Sequence, residues 1–185
     1  MGVTHSSPAL FLDRDGVVNV DDGYINSFSR IIFNDAIFKI ARFFKQKHYK
    51  IIVVTNQSGI GRGFITTDQY EEISALILKK FDDENCSIDL ILTATVNPED
   101  FTAPPEEKYL RKPNPGMILK AKSVLDLDLS RSILVGDNVS DMQAGKSAGI
   151  PNLYLVNNSA VLSDYFESYA NLKECLVRLT DVFDF

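Results

Sequence analysis

Ala9-Leu10-Phe11-Leu12-Asp13-Arg14-Asp15-Gly16-Val17-Val18-Asn19 decides how the rest of the chain is read. An apolar run of the length of a buried strand ends in two carboxylates one residue apart, followed by a glycine. Alternate side chains of a strand share a side, so Asp13 and Asp15 can meet in one pocket just past the strand's end. Two carboxylates held that close repel unless a cation lies between them or one is protonated. The arrangement serves an oxygen-ligand metal site, and equally a carboxylate nucleophile. An Asx-turn closing the strand would suit Asp-x-Asp-Gly as well. The stretch by itself leaves these readings open.

Outward from it, Val20 to Arg30 is polar and turn-rich. Asn34 stands as the N-cap of a helix with Ile37, Ile40, Ala41 and Phe44 on one face. Ile51 to Val54 is a continuous apolar strand of the doubly buried kind, and it runs into Thr55-Asn56-Gln57-Ser58-Gly59-Ile60-Gly61-Arg62-Gly63. Thr66 and Gln69 make a capping box for a helix facing inward through Ile73, Leu76, Ile77 and Phe81. Ile88 to Thr93 reads as a third strand, and the proline-bearing Ala94 to Pro115 as lacking regular structure. A helix over Gly116 to Leu125 precedes a fourth strand, Ser132 to Val135, closed by Gly136-Asp137. A helix over Ser140 to Ala148 and a strand over Asn152 to Val156 follow. The tail offers an edge strand near Tyr165 and a helix opened by Asn171, with Leu172, Leu176, Leu179 and Phe183 inward.

Strands alternating with helices predict one α/β domain over residues 1–185, a three-layer doubly wound parallel sheet. Ligands of such sheets bind outside the carboxyl ends of the strands. Three of those ends carry the polar clusters Asp13/Asp15, Thr55/Asn56 and Asp137. Asp137, at its strand tip, can join Asp13 on a metal; two carboxylates with a backbone carbonyl and waters make a hard oxygen site suited to Mg²⁺. Thr55, Asn56 and Ser58 offer neutral donors, and Lys112 supplies a compact positive charge on a mount stiffened by Pro113 and Pro115. Anionic metal ligands, neutral donors and one lysine are what phosphoryl transfer requires.

The bulk numbers narrow the function. A net charge of -6 over 185 residues argues against a nucleic-acid partner. No apolar run approaches a membrane span, and Met1 to Pro8 lacks the regions of a signal peptide. Cys86 and Cys175 stand far apart with no metal-ligand spacing, which predicts buried thiols in a reducing, cytoplasmic setting. Gly145-Lys146-Ser147 lacks the earlier glycine of a P-loop, since Ser140 stands there.

Four segments resemble, in order, the four motifs of the haloacid dehalogenase (HAD) phosphatases. They are Phe11 to Asn19, Val53 to Gly63, Arg111-Lys112-Pro113-Asn114-Pro115-Gly116-Met117, and Val135-Gly136-Asp137-Asn138-Val139-Ser140-Asp141-Met142-Gln143-Ala144-Gly145. They are most similar to the branch acting on heptose bisphosphate and histidinol phosphate. The resemblance implies a Mg²⁺-dependent phosphatase of a small sugar phosphate, active as a monomer or small homo-oligomer. It implies Asp13 as the nucleophile that forms an aspartyl-phosphate, and Asp15 as acid and then base. Thr55 and Lys112 would steady the phosphoryl group, and Asp13, Asp15 and Asp137 would hold the metal with Asp141 behind them. Asp21, Tyr24, Asn56, Gln57, Ser58 and Arg111 would contact substrate. The branch usually carries a zinc loop built on Cys-x-His and Cys-x-Cys. Here those places read Ala94, Val96, Lys108 and Leu110, so no zinc is expected, nor is there room for a cap domain.

Overall fold

The computed structural model describes residues 6–21, 23 and 31–183. Its centre is β1 (Ala9–Leu12), buried at all four positions. On one side β1 pairs with β2 (Lys50–Asn56), which pairs with β3 (Leu90–Ala94). On the other it pairs with β4 (Ile133–Gly136), followed outward by β5 (Asn152–Leu155) and β6 (Glu167–Ser168). All pairings are parallel, in the order β3-β2-β1-β4-β5-β6. The direction of winding reverses between β1 and β4, where doubly wound sheets open their crevice.

The alternation along the strands sorts the core into two layers. Leu10, Leu12, Ile51 and Val53 face α1 (Asp35–Gln46), α3 (Thr67–Asp83) and α7 (Leu172–Phe183). Ala9, Phe11, Ile52, Val54 and Leu134 face α5 (Gly116–Leu125) and α6 (Val139–Ala148). Phe44 of α1 is fully buried, with Phe43 and Phe183 set edge-on to its ring. Burial of such a ring stabilises the fold by about 1.5–3 kcal/mol. The capping box at Thr66 and Gln69 is formed, and Asn171 accepts from the N–H groups of Lys173 and Glu174 at the start of α7. Cys86 and Cys175 are free, buried, and lie in the α1 layer.

Some local expectations change. Residues 94–115 are not wholly irregular: α4 (Pro105–Leu110) interrupts them, with proline in its first turn beside Glu106 and Glu107, which suit a helix N-terminus. A four-residue helix, α2 (Ser58–Gly61), follows β2 directly. Asn34 occupies the cap position of α1 but makes no side-chain cap bond. The edge strand falls at residues 167–168, two beyond Tyr165, where Arg178 grips Glu167 through two hydrogen bonds of 2.9 and 3.1 Å. No helix among the described residues is long and apolar enough to cross a membrane.

Candidate active site

The pairing of β1 with β4 extends one residue past the strand, since the Asp13 N–H donates to the Val135 carbonyl at 3.0 Å. The chain then turns through Gly16, whose φ of +81° suits glycine. A methyl group on Gly16 would overlap the Asp137 carboxylate, so this glycine lets the end of β1 close against the end of β4. Asp13 is not an Asx-turn residue: its Oδ1 accepts from the N–H of the next residue, Arg14, at 2.7 Å.

Lys112 enters from the segment before α5 and is 4% exposed. Its ammonium meets Asp13 Oδ1 at 2.9 Å, Asp141 Oδ1 at 2.6 Å and the Val54 carbonyl at 2.9 Å. An ammonium has three protons, and here three partners receive them. Its main chain is also gripped: Asn56 accepts from the Lys112 N–H at 3.0 Å and donates to the Lys112 carbonyl at 3.1 Å. Asp141 sits in the first turn of α6, where its Oδ2 accepts from the Asn138 N–H at 3.0 Å in a capping box.

Asp15 is treated differently. Its Oδ1 accepts from Arg14 Nε at 3.1 Å and Asn19 Nδ2 at 3.0 Å. Its Oδ2 accepts from Arg14 Nη2 at 2.9 Å and Gln57 Nε2 at 2.7 Å. Gln57 donates as well to Thr55 Oγ1 at 2.9 Å, and its backbone N–H donates to the Ala94 carbonyl at 2.8 Å. Arg14, Asn19 and Gln57 are all buried. Arg14 and Asn19 were not among the residues singled out in the sequence. Strict alternation would send Arg14 away from both acids, and only the turn at Gly16 brings it back.

These groups line one cleft of about 570 Å³. Asp13, Asp15, Asp21, Thr55, Asn56, Gln57, Ser58, Arg111, Lys112 and Asp137 all border it, joined by Asn138, Ser140 and Asp141. Of the residues proposed from the sequence, Tyr24 lies outside the described residues.

The carboxylates gathered at the strand ends outnumber the ammonium that faces them. Asp13, Asp137 and Asp141 offer carboxylate oxygens within 4.8 Å of one another, against the single ammonium of Lys112. Burial pushes the Asp13 carboxyl up to about 8; Lys112 pulls it back, and Asp141 and Asp137 push it further. Burial and then Asp141 push Asp137 up to about 6. Burial opposes the Lys112 ammonium, but Asp13 and Asp141 outweigh it and keep it protonated. Asp141 is occupied by Lys112 and Asn138, which leaves Asp13 and Asp137 for a cation. Hard carboxylate oxygens of this kind fit a divalent ion such as Mg²⁺.

The loop over residues 94–110 borders the same end of the sheet and contains no zinc donors at the four places the branch uses. Ala94 and Val96 are buried apolar residues, Lys108 donates to the Phe101 carbonyl, and Leu110 packs on the α5–α6 core layer. Neither a thiol nor an imidazole stands at any of them, so they do not fit zinc. The loop is tied instead to α2. Gly61 N–H donates to the Thr95 carbonyl at 3.2 Å, and Arg62 pairs with Glu99 at 3.0 Å.

A sheet of this topology, with paired acids after the first strand and a buried lysine between the first and fourth motifs, defines a HAD-type hydrolase. The HAD-hydrolase-like family model matches residues 109–160. D-glycero-alpha-D-manno-heptose-1,7-bisphosphate 7-phosphatase of Campylobacter jejuni is 42% identical, over 91% of this chain and 93% of its own length. The enzyme of the same name from Burkholderia mallei is 46% identical, over 80% and 79%. D-glycero-beta-D-manno-heptose-1,7-bisphosphate 7-phosphatase of Yersinia pestis is 36% identical, over 91% and 90%. Among solved structures, D,D-heptose 1,7-bisphosphate phosphatase from B. bronchiseptica, complexed with magnesium and phosphate, superposes with a TM-score of 0.81. It shares 27% identity and covers 95% of this chain and 99% of its own. The chain belongs to the heptose-1,7-bisphosphate 7-phosphatase family of HAD phosphatases.

Proposed function

We propose that this chain is a single-domain, Mg²⁺-dependent phosphatase that removes the 7-phosphate of D-glycero-D-manno-heptose 1,7-bisphosphate. The α anomer is favoured, since the relatives at 42% and 46% identity carry that name. The observation that carries the reading is the convergence of Asp13, Asp15, Thr55, Lys112 and Asp137 on one cleft at the reversal of the sheet. A cytoplasmic setting suits its two free thiols.

In this reading an Asp13 oxygen forms the new bond to phosphorus, and the bond from phosphorus to the sugar oxygen breaks. Asp15 gives its proton to the departing oxygen. Water then attacks the aspartyl-phosphate, Asp15 takes a proton from it, and inorganic phosphate leaves as Asp13 is restored. Lys112 and Thr55 balance and orient the phosphoryl oxygens. Asp13, the Asp15 carbonyl and Asp137 would hold Mg²⁺, which supplies charge neutralisation at the phosphoryl group. Asp21, Ser58 and Arg111, and Tyr24 with them, would meet the rest of the sugar, with Asn56 and Gln57 at the rear of the cleft. Zinc has no part in it.

The test is Mg²⁺-dependent phosphate release from both heptose bisphosphate anomers and histidinol phosphate. We expect preference for a heptose bisphosphate, with turnover lowered about 10³-fold or more in Asp13→Asn. Appreciable turnover by that variant would sink the mechanism. Preference for histidinol phosphate would move the substrate within the branch.

A further inference from the structure

We propose that Gln57 is a positioning residue for Asp15 rather than a contact to substrate. The proposal rests on the phosphatase reading above and concerns how its acid–base residue is aimed.

The case begins with what Gln57 has left to offer. Its side-chain amide carries two N–H bonds, one spent on Asp15 Oδ2 at 2.7 Å and the other on Thr55 Oγ1 at 2.9 Å. Its backbone N–H is spent on the Ala94 carbonyl. Gln57 is only 4% exposed although it borders the cleft; none of these three donors is free for a phosphate oxygen, and the side chain keeps only its acceptor Oε1.

What it holds is equally informative. The Asp15 carboxylate receives four hydrogen bonds, two on each oxygen, from Arg14, Asn19 and Gln57. This is its ionised form, the base of the second step; in the acid form the proton takes the place of one of these donors. Arg14 and Asn19 belong to the same turn as Asp15 and move with it. Gln57 reaches in from just past the carboxyl end of β2, so among the described residues it is the donor that references the carboxylate to the sheet and to Thr55. A group that must deliver a proton to a leaving oxygen needs its orientation fixed to within a fraction of an ångström. Gln57 is the tie that fixes Asp15 against the elements bearing the phosphoryl group.

Proton delivery matters for a poor leaving group and little for a good one, and this separates positioning from packing. A sugar oxygen departs only with a proton from Asp15; a nitrophenolate departs without one. Breakdown of the aspartyl-phosphate requires Asp15 as base whichever ester formed it. In Gln57→Leu, single-turnover cleavage of the heptose bisphosphate should slow about 10²-fold. Its KM should change less than twofold. With p-nitrophenyl phosphate the same variant should release its first equivalent of nitrophenolate within about threefold of the wild-type rate, then turn over slowly, giving a burst. If Gln57→Leu does not fold by near-UV circular dichroism, Asn19→Ser, which removes a donor to the other oxygen, should give the same burst with a smaller loss. Equal slowing of both esters in the first turnover would overturn the proposal, as would a raised KM with kcat unchanged. A wild-type chain unable to release nitrophenolate at all would defeat the phosphatase reading itself, a result distinguishable from either.

Discussion

Two flanks of the sheet's carboxyl edge, one lining the cleft and one beside it, are built on different principles. On one flank, residues 13–19, 111–116 and 137–141 are joined by buried charge: Lys112 bridges Asp13 and Asp141, and Arg14 grips Asp15. On the other, residues 94–110 are joined by backbone hydrogen bonds, close packing on glycine, and a pair whose Glu99 is 73% exposed. Both flanks border the same strand ends. The first has its partners buried, where removing one leaves an uncompensated charge. The second is held by contacts that water can largely substitute. Buried charge pairing is therefore concentrated on the first flank, and latitude on the second.

The largest effect should come from Lys112→Met. It leaves Asp13 and Asp141 facing each other in a buried site, and urea titration should show a loss of about 3–5 kcal/mol. Saturating Mg²⁺ should recover part of it. A loss under about 1 kcal/mol would mean that the charged flank is no more demanding than the other. Next comes Gly61→Ala, whose methyl group would overlap the Thr95 carbonyl and push loop 94–110 outward. About 1–3 kcal/mol should be lost, with KM raised and kcat kept. Elemental analysis of the same preparations should return no stoichiometric zinc. One zinc per chain, or an unchanged KM in the variant, would show that the loop is held some other way. The smallest effect belongs to Arg62→Ala. Its partner is exposed, so thermal unfolding should report less than about 1 kcal/mol.

The sequence disclosed the charged flank well and the other poorly, for physical reasons. β1, β2 and β4 are apolar runs buried on both faces, a pattern that survives any context. Acids following apolar runs can be assigned to one edge of the sheet, so Asp13, Asp15 and Asp137 could be grouped from position, whereas Lys112, which follows no strand, stands out as a compact charge on a proline-stiffened mount. Helix α4 could not, because three prolines mask a six-residue helix whose starting signal is itself a proline. Nor could the inward turn of Asn56 and Gln57, which depends on Lys112 and Asp15 arriving from 56 and 42 residues away. Polar residues at a strand end look alike whether they face a ligand or hold the residue that does. Arg14 escaped notice because its burial follows from a turn, and periodicity does not describe turns.

The two cysteines carry a consequence for the molecule's motions. Burial pushes the Cys86 thiol up to about 11 and the Cys175 thiol up to about 12, and neither has measurable exposure. Attack on a disulfide reagent requires a thiolate in contact with water. Each thiol can therefore react only after its part of this layer opens, around the segment between α3 and β3 for Cys86 and at α7 for Cys175. The two rates act as separate clocks for opening at two places in one layer. Equal rates would mean that the layer opens as a unit, and unequal rates that the C-terminal helix departs first or last.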